Sequence, residues 1–537
     1  MKPVAGLPIR GVHLDCRAQM LRFERVREIF HDLVRWGYNA VLLEYEDHFP
    51  YRGRLKSIAS ADALTLQQVK ELARLARALG LQIIPLVQCL GHLTYVLRLP
   101  AFRRLTEGYP RTLPYAVCPA EPKARTLFRE MVAQVLAVHT ESRYFHLGGD
   151  EVLLEPDCPR CRAQNPGAAI SKRLVDHYLD RADWVRGRGP DPIVWGDLIL
   201  AHPRQRERLR GRVTIMDWDY WSGTRPTPAP RLLWGMAKLP PAALKNPRAW
   251  PRVYRTLFPD SVFTAAGQAA RPFPYAKFLH DEGLAFMLAA AARSGGDSFC
   301  APRAALHADN VVGAIRTATE RRALGCVITS WALRRAPWPL TEYALIAGSL
   351  ALKHPRVPRR AIAEAFVREH FGVGDLRLAR IPLLLGVQVP ALLQTNARAD
   401  VRTNQWLAQA FDKRLAASRH DRKNAERQLK TLKVNCIEAE RLLRRARPRA
   451  LRQRERVALW RWAIRVFGFY AAHAPRWLDG EKPSGSLSAM RPLIALTGRV
   501  LGRWYTNETL AEELQARFGS LADYLADRPA QEGTVSG

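Results

Sequence analysis

The sequence predicts an α/β protein built as a (β/α)8 TIM barrel, followed by a C-terminal region that is all helical. Short β-branched runs recur eight times in the first 335 residues, and amphipathic helical stretches separate them. Parallel strands need crossover helices, and eight strand–helix units in about 330 residues match the size of such a barrel. An open doubly wound sheet is the alternative, but Leu14–Arg17 lacks the glycine-rich loop expected after its first strand.

The predicted barrel elements follow one another in regular alternation. The expected strands are Ile9–Cys16, Asn39–Tyr45, Leu81–Gln88, Arg143–Gly149, Pro192–Asp197, Arg212–Asp217, Ser261–Ala266 and Gly325–Trp331. The expected helices include Phe23–Trp36, Leu66–Leu79, Ala124–His139, Ala168–Arg186, Gly283–Arg293 and Ala304–Ala323. The proline-rich stretch Ser222–Pro259 is predicted to be a long excursion between strands six and seven, at the barrel end where active sites form.

The strand signal ends near residue 352, which predicts a catalytic barrel over residues 1–351 and a basic, mainly helical region over 352–537. A one-sided apolar seam with spacings of three and four residues indicates a packed helix there. Its members are Ala425, Leu429, Leu432, Cys436, Ala439 and Leu443. The opposite face is basic, and it is either an anion-binding surface or an ordinary solvated helix face.

The composition is that of a globular chain, with 47% hydrophobic and 25% charged residues. The 83 Lys and Arg residues exceed the 50 Asp and Glu residues, giving a net charge of +33 that attracts anions. Apolar stretches are shorter than the ~20 residues of a membrane span, and the N-terminus lacks a signal-like apolar segment. Eight cysteines in 537 residues do not indicate a disulfide scaffold. We therefore expect a cytoplasmic protein without a membrane span.

The segment Tyr144–Glu151 (YFHLGGDE) carries the strongest chemical signal in the chain. It is predicted to end a barrel strand at the catalytic rim, with Asp150 and Glu151 side by side. On an unbroken strand the two side chains point oppositely, whereas a break after Gly149 turns both toward one pocket. Like charges so close together push their pKa values apart, which leaves one carboxylate ionised and one able to donate a proton.

His146–Glu151 (HLGGDE) resembles the signature of glycoside hydrolase family 20, the β-N-acetylhexosaminidases. Several other segments resemble the family in order and position, closest to its hexosaminidase D-like branch. They are Arg10–Asp15, Glu44–Tyr51, Gly91-His92, Trp195–Asp197, Trp218–Tyr220 and Thr329–Trp331. The resemblance covers about residues 5–345.

The resemblance implies an exo-acting enzyme that removes terminal β-linked N-acetylglucosamine or N-acetylgalactosamine with retention, the substrate's own acetamide oxygen acting as nucleophile. Glu151 then corresponds to the general acid and base, and Asp150 orients the acetamide. The resemblance also implies substrate-binding roles for Arg10, His92, His146, Trp195, Trp218, Tyr220 and Trp331. Arg10 matches a hydroxyl-clamping arginine, the tryptophans aromatic walls, Tyr220 a partner of the acetamide oxygen, and the histidines supports for the carboxylates.

Two departures from the family pattern stand out. A carboxylate two residues beyond the last-strand tryptophan is common in the family, but Leu333 and then Arg334 occupy that place, which leaves the choice of sugar epimer open. The expected seventh-strand run at 263–268 is unusually bare of polar groups, which predicts that one edge of the site is rebuilt.

The pair Cys158 and Cys161 is half of a tetrahedral zinc site, but no second Cys/His pair with ligand spacing accompanies it. The sequence therefore predicts no metal, nucleotide or other cofactor, and a loop-shaping or redox-labile dithiol at these positions.

A second function class also fits the sequence: a weak or inactive barrel that binds an anionic glycan or another polyanion through its basic helices. No zinc-finger, RRM or helix-turn-helix signature accompanies the charge, so sequence-specific nucleic-acid binding is not expected. The intact Asp150–Glu151 pair favours the enzyme, whose partner is a carbohydrate with a terminal N-acetylhexosamine. The natural aglycone and the oligomeric state do not follow from the sequence.

Overall fold

The computed structural model describes most of the chain, and the account below is limited to that part. The described residues are 6–152, 154–155, 157–164, 169–227, 232–234, 237–239, 270–333, 336–354, 356–394, 397–399, 406–408 and 411–526. They form two compact units. The first comprises Met1–Asp15, Arg27–Ala290 and Asp309–Ile328, and the second comprises Cys16–Val26, Ala291–Ala308 and Thr329–Gly537.

Eight parallel strands close into a barrel, which confirms the predicted fold class. In chain order, these eight strands and two short strands outside the barrel, β7 and β8, are β1 (Ile9–Asp15), β2 (Ala40–Glu44), β3 (Gln82–Leu86), β4 (Tyr144–His146), β5 (Asp191–Trp195), β6 (Thr214–Trp218), β7 (Leu232–Trp234), β8 (Ala237–Leu239), β9 (Phe286–Arg293) and β10 (Gly325–Ser330). The barrel order is β1-β10-β9-β6-β5-β4-β3-β2, and β7 and β8 form a separate antiparallel hairpin. This hairpin lies in the predicted excursion between the sixth and seventh barrel strands.

The strand register aligns the carboxyl ends of the first strands at one rim of the barrel. Asp15 pairs with Glu44, Glu44 with Leu86, Leu86 with His146 and His146 with Ile193. The residues that follow β4 therefore emerge at the rim where barrel enzymes hold their active sites.

The seventh barrel strand differs from the prediction. The apolar run Gly283–Arg293 reads as a helix in the sequence, yet Phe286–Arg293 is strand β9, and all eight of its residues are buried. Alanine has a high helix propensity, but here its small side chain fits a strand that is enclosed on both faces. The strand expected at Ser261–Ala266 and the polar-poor run at 263–268 lie outside the described residues.

Helices connect the barrel strands. They are α1 (Phe23–Arg35), α2 (Leu66–Ala78), α3 (Thr94–Leu97), α4 (Pro122–Leu136), α5 (Pro159–Gln164), α6 (Ile170–Arg186), α7 (Asp197–Ala201), α8 (Pro274–Asp281) and α9 (Ala304–Glu320). The buried residues Val69, Leu72 and Ala76 form one face of α2, and Thr65 and Gln68 close a capping box at its start.

The second unit is mainly helical, as predicted for the C-terminal part. Its further helices are α10 (Glu342–Ala351), α11 (Arg359–Phe366), α12 (Arg380–Leu385), α13 (Phe411–His420), α14 (Arg422–Leu443), α15 (Leu451–Leu478), α16 (Ser484–Leu501), α17 (Asn507–Leu514) and α18 (Ser520–Leu525). Two three-residue strands, β11 (Ala397–Ala399) and β12 (Trp406–Ala408), pair with each other. The predicted seam on α14 is buried, and Leu442 joins it. The domain boundary at residue 351 stays a prediction.

The second unit encloses a buried polar network. Arg456 pairs with the Glu342 carboxylate (Nε–Oε2, 2.7 Å), which also contacts His370 Nδ1 at 2.9 Å. The Trp460 indole N–H donates to His370 Nε2 at 2.8 Å. Buried charges are costly unless they are paired, and this network satisfies them.

No helix among the described residues is long and apolar enough to cross a membrane.

Candidate active site

The candidate carboxylates stand on a short backbone turn that follows β4. The strand ends at His146, three residues earlier than predicted. Gly148 and Gly149 then adopt left-handed φ angles of 63° and 92°, and Glu151 follows with φ 53°. A non-glycine residue in this region is strained, and such strain clusters at functional sites. The chain therefore bends before the acidic pair and does not continue as an unbroken strand.

Buried side chains hold this turn in place. The Gly148 N–H donates to His146 Nδ1 (2.9 Å), and the Gly149 N–H donates to Gln88 Oε1 (3.1 Å). The Tyr178 hydroxyl donates to the Gly149 carbonyl. Burial lowers the pKa of His146 to about 3, so its ring is neutral and its Nδ1 is able to accept this hydrogen bond. His146 thus contacts the backbone of the turn that carries the acidic pair.

His92 brings the two carboxylates to one place. Its Nε2 atom lies 3.4 Å from Asp150 Oδ2 and 3.6 Å from Glu151 Oε2. The same nitrogen is 3.0 Å from the Tyr115 hydroxyl, so Tyr115 helps to fix the ring. The Asp150 side chain is 9% exposed and that of Glu151 is 41% exposed. One carboxylate is therefore enclosed, while the other reaches solvent.

A third carboxylate, Asp197, begins α7 just after β5 and supports the pair. The Glu151 N–H donates to its Oδ2 at 3.0 Å. Burial, together with the negative charge of Asp150, raises the pKa of Asp197 to about 7. Two further buried acids lie at the end of β6, Asp217 within the strand and Asp219 just after it. Burial raises the pKa of both, and Asp219 also accepts the backbone N–H groups of the next turn. This rim of the barrel is therefore rich in carboxylates whose protonation depends on their surroundings.

The aromatic residues predicted to line the site fall into different settings. Trp218 and Tyr220 stack with ring centroids 5.2 Å apart, and Trp218 is partly exposed. Trp195 is completely buried, with its ring centroid 4.5 Å from that of His146. A side chain with no exposed surface supports the turn rather than offering a face to a ligand, so the structure does not favour the predicted wall role of Trp195.

Trp331 follows β10 and belongs to the second unit. The Arg17 guanidinium lies 5.2 Å from its ring centroid, within cation–π range. Leu333, which replaces the expected carboxylate, is described, whereas Arg334 is not.

Arg10 is the clearest departure from the predicted site. It is the second residue of β1 and pairs with Cys326, the second residue of β10, so it stands at the amino end of its strand. Its guanidinium donates to the carbonyls of Gly37 (3.0 Å) and Leu7 (3.2 Å). The structure does not bring Arg10 to the carboxylates, and its contacts indicate a structural role at the opposite end of the strand.

Sequence reasoning missed several residues of the site. Asp197 ends the Trp195–Asp197 motif, but the sequence assigns no role to this carboxylate; its position at the end of a predicted strand is the available signal. Tyr115, Tyr178 and Gln88 carry no local motif, because each acts through a contact made by the folded chain.

Among the described residues, two groups of side chains place potential metal-ligand atoms within 4.8 Å of one another. One is His92, Asp150 and Glu151, the centre described above. The other is Glu107, Cys118, Cys158 and Cys161, all buried. The second group contains the Cys158–Cys161 pair that the sequence singled out.

Comparison with known proteins bears on this geometry. The model of the glycosyl hydrolase family 20 catalytic domain matches residues 46–229. Hexosaminidase D of Homo sapiens is 34% identical over 221 residues, which cover 40% of this chain and 45% of the human protein. Hexosaminidase D of Bos taurus is 33% identical over 221 residues, covering 40% of this chain and 63% of the bovine protein. The matched segment thus spans less than two thirds of the length of either relative.

Residues 46–229 are therefore similar to the catalytic domain of glycosyl hydrolase family 20. Within that family, the segment resembles the hexosaminidase D proteins, as its motifs predicted.

Solved structures also align with the chain. A β-N-acetylhexosaminidase from Bacteroides fragilis aligns with a TM-score of 0.45 and 15% identity, over 66% of this chain and 67% of that one. An exo-β-N-acetylglucosaminidase from Vibrio harveyi aligns with a TM-score of 0.46 and 15% identity, over 70% and 58%. The barrel assignment itself rests on the strand pairing.

Proposed function

We propose that this protein is an exo-acting β-N-acetylhexosaminidase. The observation that carries the proposal is the convergence of Asp150 and Glu151 on one nitrogen of His92, at the catalytic rim of a family 20 barrel. The substrate is a carbohydrate with a terminal β-linked N-acetylglucosamine or N-acetylgalactosamine. Either epimer remains open, because Leu333 stands where the family often has a carboxylate.

The two carboxylates suit different tasks. Glu151 is 41% exposed on its side chain, so it is able to protonate a departing glycosidic oxygen and then exchange protons with an attacking water. Asp150 is enclosed beside His92 and is suited to orient the acetamide N–H and to balance positive charge on the sugar-derived intermediate. The acetamide oxygen of the substrate is the nucleophile, and the product keeps its anomeric configuration.

Tyr115 and His92 orient the pair, while Trp218 and Tyr220 offer a stacked aromatic face beyond the next strand. Sugars bind such faces through their C–H groups, and the Tyr220 hydroxyl is the proposed partner of the acetamide oxygen. The proposed reaction is a hydrolysis whose only reactants are the glycoside and water.

The test is hydrolysis of aryl β-N-acetylglucosaminides and β-N-acetylgalactosaminides by the wild type and by Glu151→Gln and Asp150→Asn. General acid catalysis is worth ~10²–10⁴-fold, so the Gln variant should lose about that much turnover on a poor leaving group and less on an activated one. Near-wild-type turnover of the poor leaving group would contradict the assignment. Glu141→Gln is the isosteric control, since Glu141 is 61% exposed and pairs only with Arg77 among its described contacts.

Asp150 is tested separately by ligand binding. A thiazoline that mimics the cyclic intermediate should bind Asp150→Asn more weakly than the wild type, because the neutral amide no longer balances its positive charge. Equal binding would show that Asp150 does not orient or stabilise the acetamide.

The basic C-terminal helices support a second, accessory proposal: weak polyanion binding without sequence preference. With the seam of α14 buried, its other face and the segment after it expose Arg441, Arg444, Arg445 and Arg447. Fully desolvating so many charges is unfavourable, so this face stays in water and is available to anions.

We also propose a cytoplasmic location. All eight cysteines are buried and unpaired by disulfides, a state that a reducing compartment maintains.

A further inference from the structure

The loop that follows the acidic pair ends in a cluster of three thiols and one carboxylate. Cys118 Sγ lies 3.7 Å from Cys158 Sγ and 3.6 Å from Cys161 Sγ. Cys161 Sγ lies 3.7 Å and 3.8 Å from the two Glu107 carboxylate oxygens. The three thiols have exposures of 0–1%, and Glu107 is 4% exposed.

These separations are those of ligands around one tetrahedral ion. Zn–S bonds of about 2.3 Å at the tetrahedral angle place sulfur atoms about 3.8 Å apart, and Zn–O bonds of about 2.0 Å place sulfur and oxygen about 3.5 Å apart. The observed spacings fall within a few tenths of an ångström of these values. A disulfide does not account for the arrangement equally well, because Cys118 is nearly equidistant from both partners and pairing would leave one thiol over.

The carboxylate gives independent support. Burying an ionised carboxylate is costly unless it is paired, yet the side-chain contacts of Glu107 among the described residues are thiols and no Lys, Arg or His. Two arginines surround the group: Arg160 donates to the Arg104 carbonyl (2.7 Å) and pairs with Glu121 (2.9 Å), and Arg173 lies beside Cys161. Three thiolates and one carboxylate on Zn²⁺ leave a net charge of minus two. Arg173 and Arg160 offset part of it, since Arg160 is also paired with Glu121.

We propose that Glu107, Cys118, Cys158 and Cys161 form a structural zinc site. Thiolate ligands favour zinc among the common cellular cations, and four protein ligands leave no open position for chemistry on the ion. The sequence argument against zinc counted only close Cys/His pairs. It missed Cys118 and Glu107 because they lie some 40 and 50 residues before the Cys158–Cys161 pair and share no motif with it.

The site would join two loops of the catalytic rim. Glu107 and Cys118 belong to the segment after β3, which also supplies His92 and Tyr115. Cys158 and Cys161 end the segment after β4, which supplies the carboxylates. Cross-linking these segments through an ion holds His92 in register with the acidic pair, so the zinc acts by positioning and does not touch the substrate.

The test is metal content, which is independent of any glycosidase activity. The wild-type chain, produced with zinc and purified without chelator, should carry about one zinc ion per chain when measured by inductively coupled plasma mass spectrometry. The double variant Cys118→Ser/Cys161→Ser should carry almost none. Cys436→Ser is the matched control, because Cys436 is also a buried thiol but lies on α14, and it should retain the full zinc content.

Cobalt gives a second readout on the folded wild-type protein. Co²⁺ bound in place of zinc should show the visible bands of a tetrahedral ion together with thiolate-to-cobalt charge transfer. Glu107→Gln keeps the three thiolates and the side-chain volume, so it should still bind Co²⁺ but roughly tenfold or more weakly. An unchanged Co²⁺ affinity in this variant would remove Glu107 from the ligand set.

Three outcomes would overturn the site. They are a wild-type chain without zinc whose three thiols all react with an alkylating agent after unfolding, a disulfide between any two of them, and undiminished zinc in the double variant. A wild-type chain that carries zinc but does not hydrolyse the aryl glycosides would contradict the proposed function and leave the metal site standing.

Discussion

Gly148 offers the sharpest test of how the acidic pair is held. A Cβ atom added to this glycine would lie 1.9 Å from Gln88 Oε1, so the Gln88 amide must move. It would then lose the hydrogen bond from the Gly149 N–H (3.1 Å) and its own bond to Glu44 Oε1 (3.1 Å). Gly148→Ala therefore combines backbone strain with the loss of two buried hydrogen bonds.

The cost can be compared with that of a matched glycine. Gly80 has φ 65°, nearly the 63° of Gly148, but a Cβ there meets nothing within 4 Å. Gly80→Ala should pay only the left-handed strain, about 1–2 kcal/mol of unfolding free energy. Gly148→Ala should lose the same amount to strain and a further ~2–4 kcal/mol of unfolding free energy, since each broken buried hydrogen bond costs ~1–2 kcal/mol.

Urea denaturation followed by tryptophan fluorescence measures this difference, and hydrolysis of an aryl glycoside measures its effect on the site. Gly148→Ala should be the less stable variant and should also lose turnover, whereas Gly80→Ala should keep wild-type turnover. Equal stabilities of the two variants, with turnover preserved in both, would refute the argument that Gln88 fixes the turn.

Three further predictions follow from the site and the basic face. Tyr115→Phe removes the hydroxyl that fixes His92, and should cost ~0.5–1.5 kcal/mol of stability and lower turnover, while Tyr109→Phe at a 37% exposed position should do neither; equal turnover in the two variants would exclude the positioning role. The pKa of Asp197 is raised to about 7, so the folded chain keeps a proton that the unfolded chain releases near pH 4. The contribution of this group to stability is therefore complete at low pH and falls as the pH rises to about 7. Asp197→Asn should flatten that part of the curve of stability against pH, whereas Asp191→Asn, at a 61% exposed position, should not. Reversing the charges of Arg444, Arg445 and Arg447 should leave hydrolysis of a neutral glycoside unchanged and reduce retention on heparin, with residual retention weakening steeply in salt; unchanged retention would mean that this face is only solvated surface.

Much of the barrel could be predicted because its strands are β-branched and its helices are amphipathic. The exception, β9, shows where that signal ends. Its sequence, FMLAAAAR, has the composition of a helix, and only enclosure by the neighbouring strands makes it a strand. Local propensity does not contain that information.

The candidate site could be predicted where one local motif carried it, as for Asp150 and Glu151. The prediction failed where a residue acts through contacts that only the folded chain makes. Arg10 lies on the right strand but near its amino end, and residue order alone does not say which end a long side chain serves. Cys118 and Glu107 show the opposite case, since ligands far apart in sequence meet only after the loops close.

The left-handed turn at residues 148–151 has a consequence for anyone who alters this protein by directed evolution. The placement of the acidic pair is encoded in backbone dihedral angles, which only glycine adopts without strain at two of these positions. Random libraries that include this segment would be dominated by variants that fold poorly. The stacked Trp218 and Tyr220 lie at a different strand end, and Trp218 stands beside Asp197, whose carboxylate accepts the Glu151 N–H. Substitutions there would therefore act on the acidic pair through Asp197 as well as on the bound sugar.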